Sequence, residues 1–124
     1  MASSEADTSG RSFSAPPPSD GALYIYVPDR PQPVAWGVTV GSRPVGDLAP
    51  STWLRVDLPA GERDVRCTGG RMGTPSLLVN LLPGETRYIE LGKHWIEIQC
   101  TMKEVPASVA QPAILAGKRV RELR

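Results

Sequence analysis

The sequence predicts an all-β fold: an antiparallel sandwich of about seven short strands with a short C-terminal helix. Three observations carry that prediction. Apolar and polar residues alternate with a period of two between turn signals, most clearly from Val34 to Cys67. Thirteen Pro and twelve Gly recur at short intervals well beyond the N-terminal region, as many tight turns require. Only after Pro106 does the apolar spacing become helical. At 124 residues and 40% hydrophobic content, the chain has room for one cored domain of about 100 residues with tails.

Residues 1–20 hold six Ser, the triplet Pro16 to Pro18 and Phe13 as the only aromatic. So little apolar surface does not offset the entropy of ordering, and the segment is expected to be a disordered tether. Strand signals begin at Gly21. Leu23, Ile25 and Val27 fall on one face, Tyr24 and Tyr26 on the other, and Pro28 ends the run. After a loop bracketed by Pro31 and Pro33, Trp36, Val38 and Val40 alternate with smaller residues. Thr52 to Leu58 sets Leu54, Val56 and Leu58 inward and Trp53, Arg55 and Asp57 outward; the return strand sets Val65 and Cys67 inward.

Thr68 to Pro75 is glycine-rich and predicted to be a flexible loop. Ser76 to Leu82 is almost continuously apolar, which suits a central or doubly covered strand. The turn dipeptide Pro83-Gly84 follows, then Thr86 to Leu91 and Trp95 to Met102 alternate again, with Ile96, Ile98 and Cys100 on one face. Pro112 suits the first turn of a helix over Ala113 to Leu123, with Ala116, Val120 and Leu123 on one stripe. Lys118, Arg119, Arg121 and Arg124 would then offset the macrodipole at its carboxyl end. The expected partition is a tether over 1–20, a β-sandwich over 21–105, immunoglobulin-like or prealbumin-like, and a helical segment packed on it over 106–124.

Fourteen basic and thirteen acidic side chains leave a net charge of +1, so no overall field recruits nucleic acid or an anionic membrane. No apolar run is long enough for a membrane-spanning helix. The first residues have neither the basic start nor the apolar centre of a secretory signal, which fits a cytosolic chain or a mature exported one.

The segments Val-Thr-Val-Gly-Ser-Arg-Pro-Val-Gly-Asp-Leu, Leu-Arg-Val-Asp-Leu-Pro-Ala-Gly-Glu-Arg-Asp-Val and Leu-Leu-Pro-Gly-Glu-Thr-Arg-Tyr-Ile-Glu-Leu together resemble a known family. It is a β-rich domain of unknown function (family 2846) common in bacterial envelope lipoproteins. The hairpin and Leu-Pro-x-Gly turn order is also similar to the surface-layer PEGA repeat. The opening Gly-Ala-Leu-Tyr-Ile-Tyr-Val and the closing helical segment fit the first family better, and the likeness covers about residues 21 to 123. The resemblance implies a periplasmic or outer-membrane-associated protein that binds or scaffolds another envelope protein. It implies no catalytic residues and no cofactor. Family members are often tethered by a lipidated cysteine; no cysteine stands near the N-terminus here.

Cys67 and Cys100 follow Val65 and Ile98 on inward-facing positions, so strand parity allows them to meet. They form either a disulfide suited to an oxidising compartment or two buried thiols acting as small hydrophobes. Two distant cysteines and the single His94 lack the close spacing of a zinc site. No Gly-x-Ser-x-Gly elbow or phosphate-binding loop ending in Gly-Lys-Ser occurs. Tyr24, Tyr26, Trp53 and Tyr88 lie opposite their strands' aliphatic sets. Two readings stay open for them. They form an exposed patch that docks an envelope protein or, as in a carbohydrate-binding module, a glycan; or they pair across strands or lie beneath the C-terminal helix. Trp36 and Trp95 are expected in the core or at the sandwich rim.

Overall fold

A computed structural model describes residues 11–28, 35–68, 75–93 and 100–122. Within them the chain forms a two-sheet β-sandwich with one helix. The elements are β1 (Asp20–Val27), β2 (Trp36–Val40), β3 (Arg43–Leu48), β4 (Thr52–Pro59), β5 (Gly61–Thr68), β6 (Ser76–Leu81), β7 (Thr86–Lys93), β8 (Cys100–Val105), α1 (Ala107–Ala116) and β9 (Lys118–Arg119). One sheet has the order β8-β7-β1-β4-β9 and the other β3-β2-β5-β6. The second order is that of strands C′, C, F and G in an immunoglobulin sandwich, and the β1–β4 pair takes the place of B and E.

Nine described strands exceed the expected seven because β3 and β9 have weak sequence signatures. β3 opens Arg-Pro and carries Gly46, and its register against β2 shifts between Val38 and Thr39. An edge tolerates such a strand, because its outer side needs no ladder donor. β9 has two residues and pairs parallel to β4.

Pairing sorts β1, β4 and β7 into two faces. Ile25 lies opposite Leu54 and Ile89, whereas Tyr24 lies opposite Arg55 and Tyr88. The aliphatic set faces the second sheet and joins Trp36, Val38, Val65, Cys67, Val79, Leu81 and Cys100 in the main core. Trp36 is therefore a core residue as expected; Trp95 lies outside the described residues.

Three expectations change. The helix spans Ala107–Ala116, not Ala113 to Leu123, and Pro112 lies inside it. Proline there removes one amide donor from a ten-residue helix, and packing of Ala110 and Ile114, one turn apart, offsets the loss. Gly117 ends the helix, with its amide bonded to the Ile114 carbonyl at 3.0 Å. A Cβ at this position would approach the Ser51 carbonyl oxygen to 2.9 Å, so glycine lets the chain turn in beside β4 as β9. The basic residues Lys118, Arg119 and Arg121 consequently lie beyond the helix.

The tether also differs. From Arg11 onward the chain is laid against the sandwich: Pro16 is buried, and the Asp20 amide donates to the Pro17 carbonyl at 2.9 Å. Residues 1–10 lie outside the described set. Finally, among the described strands β6 is an edge, not a central one. Val79 and Leu81 face the core, whereas Leu78 is 63% exposed and Leu82 52%.

Candidate functional site

The four aromatic candidates converge on the outer face of the first sheet. Tyr24 and Tyr88 stack at 5.3 Å between ring centroids, and Tyr24 meets Trp53 at 5.8 Å. Tyr26 and Trp53 are register partners across β1 and β4. All four are buried, so they form no exposed patch. Two covers explain this: α1 supplies Ala110 and Ile114, and the N-terminal strap supplies Phe13, 5.3 Å from Tyr24 and 6.3 Å from Tyr88. Arg11 locks the covers together. Its Nη1 donates to the Leu115 carbonyl at 2.6 Å and its Nη2 to the Gly117 carbonyl at 2.5 Å. The helix thus receives its C-terminal cation from 104 residues upstream.

Each phenol tip is satisfied by a polar group. The Tyr26 hydroxyl donates to Glu90 Oε2 at 2.8 Å, and Gln111 Nε2 donates to the Tyr88 oxygen at 2.9 Å. Arg55 Nη1 donates to the Tyr24 oxygen at 3.0 Å, and Arg55 Nε donates to Asp57 Oδ1 at 2.9 Å. Burial pushes the Tyr24 phenol above its ordinary value, against the opposing pull of Arg55. Desolvation pulls the Arg55 guanidinium down, but the Asp57 hydrogen bond and its other polar partners leave it raised, so it stays charged. Arg55, expected outward from alternation, is buried, and so is Glu90, which shares the parity of Tyr88. The available signal was their register with the aromatics: a charge in line with Tyr24, Tyr26 and Tyr88 shares whatever covers them.

Cys67 on β5 and Cys100 on β8 form a disulfide, with Cα atoms 6.3 Å apart. It joins the two sheets through the core, and both residues are fully buried. His94 lies outside the described residues. Among the described residues, no group of three or more His, Cys, Asp and Glu side chains is placed to hold a metal ion, and no helix is long and apolar enough to cross a membrane.

Comparison with known proteins adds nothing to these observations. No family model, curated protein or solved structure matches this chain.

The four sheet edges differ in what they offer a partner. β9 is two residues long, β3 carries Arg43, Pro44 and Asp47, and β8 carries Lys103 and Glu104, the latter paired bidentately with Arg87. β6, Ser-Leu-Leu-Val-Asn-Leu, has neither charge nor proline. Its far end is occupied: Arg87 Nη1 donates to the Asn80 carbonyl, and the Leu82 amide donates to Glu85 Oε1, both at 3.3 Å. Among the described residues, Ser76 to Val79, with exposed Leu78, has none of the devices that keep natural edges from pairing.

Proposed function

We propose that this chain is a non-catalytic module of the bacterial cell envelope that binds or scaffolds another envelope protein. The observation that carries the reading is the buried Cys67–Cys100 disulfide across the sandwich, because such bonds persist in oxidising compartments. The resemblance of its turns to envelope lipoprotein domains supports the same setting. The partner contact is assigned to β6. An uncharged edge favours an uncharged, extended segment of the partner, added as a further strand over Ser76 to Val79 with Leu78 against its side chains. The carbohydrate-binding alternative depends on an exposed aromatic platform, and Tyr24, Tyr26, Trp53 and Tyr88 are buried.

Two measurements on protein in its native host test this. Intact mass after denaturing alkylation without reductant is expected to show both cysteines unlabelled in an envelope fraction; free thiols in a cytosolic fraction would overturn the setting. A photoreactive residue at Leu78 is expected to cross-link an identified envelope protein that the same residue at exposed Val109 does not. Equal yields at both positions, or none, would overturn the assignment of β6.

A further inference from the structure

Three arginines and two carboxylates line a cleft of about 450 Å³ on the side of the sandwich where the β3 edge meets β4 and β9. That size lies within the range of small-molecule sites. Arg55 and Asp57 come from β4, Arg43 from β3, Arg119 from β9 and Glu122 from the chain after it. The side chains are assembled from both sheets and the C-terminal tail.

The carboxylates are already committed. Asp57 accepts from Arg55 Nε at 2.9 Å, and Glu122 accepts from Arg43 Nη2 at 2.9 Å. The Arg119 guanidinium lies over the Trp53 ring at 5.4 Å. Among the described residues, three guanidinium groups and two carboxylates line the cleft, a lining with a net positive charge.

Arg55 makes this more than a surface ion-pair cluster. It is only 7% exposed and held by Asp57, the Tyr24 hydroxyl and, at 3.4 Å, Ser14 Oγ. Those bonds use Nε and Nη1; Nη2 has no hydrogen-bond partner among the described residues. Nη2 is therefore open to a ligand in the cleft, and a guanidinium immobilised by its other nitrogens loses little entropy on binding an oxyanion. We propose that this cleft is a binding site for the oxyanion, carboxylate or phosphate, of a small soluble molecule, with Arg55 as the buried anchor and Arg119 and Arg43 at its rim. The inference does not depend on the envelope reading or on β6.

The test is a titration of the full chain with inorganic phosphate and, separately, with succinate, at ionic strength held constant with sodium chloride, following arginine Nε–Hε and backbone amide resonances. Saturable shifts at Arg55 and Arg119 with either probe are expected, and the probe that binds more tightly identifies the oxyanion. Asp57→Asn, at an exposed position, removes the carboxylate that competes for Arg55 and is expected to tighten binding about three- to tenfold; Arg119→Gln is expected to weaken it by a similar factor. No saturation with either probe, shifts that chloride alone reproduces, or affinities that neither variant moves would each overturn the proposal.

Discussion

The two apolar layers of this protein flank the same three strands and are built in different ways. Between the sheets lies a largely aliphatic core drawn from strands β1 to β8, most of whose residues recur at every second position, with the disulfide through its interior. On the outer face of the first sheet lies an aromatic layer covered by a helix near one terminus and a strap near the other. The first layer buries almost only carbon and sulfur and is held by area and packing. The second buries Trp53 and three phenols whose hydroxyls meet Glu90, Arg55 and Gln111, so it is held as much by those three hydrogen bonds as by area. An inner layer of this kind resists local opening. An outer layer closed by two chain ends has weak points that can be tested separately.

The largest expected effect comes from β1, the middle one of the three strands that serve both layers. Ile25→Ala is expected to cost about 2–5 kcal/mol in chemical denaturation and to leave a single transition, because β1 faces both layers. Two resolved transitions would show that the layers unfold independently. Replacing both Cys67 and Cys100 with alanine is expected to cost about 2–4 kcal/mol in the same assay while leaving near-ultraviolet tyrosine signals intact. Loss of those signals would mean that the aromatic layer depends on the staple.

Within the aromatic layer, Tyr26→Phe removes the close donor to buried Glu90 and is expected to cost about 1–3 kcal/mol. A smaller effect belongs to the strap. Arg11→Ala is expected to cost about 0.5–1.5 kcal/mol, read as faster amide exchange in α1 with β2 and β5 unchanged. Equal acceleration in β2 and β5 would show that the strap is part of the global fold. The smallest effect is a pH dependence. Tyr24 has its phenol raised above 10.0 in the folded state, so the folded protein holds that proton more tightly than the unfolded chain. Its contribution is fully present below pH 10 and is lost as pH rises toward the folded value. Stability is therefore expected to fall above pH 10, and Tyr24→Phe to flatten that slope; an unchanged slope would assign it to other groups.

The same contrast explains what was legible. Strand parity put Leu23, Ile25, Leu54, Val56, Val65 and Cys67 on the core face because the period-two pleat is a local property of the backbone. Parity also separated Tyr24, Tyr26, Trp53 and Tyr88 as a set, but it did not show whether that set meets water. The answer lay with Phe13, Arg11, Ala110 and Ile114, whose contacts span the chain and leave no periodic trace. β6 misled for the converse reason. A continuous apolar run fits a central strand, and here the run serves an edge whose outward Leu78 has no cover among the described residues.

The sequence by itself determined the all-β class, the face on which the residues of β1, β2, β4, β5 and β7 sit and the parity that lets Cys67 meet Cys100, since all follow from alternation between turns. Only the tertiary structure decided the sheet order, the parallel pairing of β1 with β7 and β4 with β9, the helix at Ala107–Ala116, the covering of the aromatic layer and the assembly of the arginine cleft. Each of these joins residues far apart in the chain, and their free energy comes from contacts that exist only once the sheets have formed.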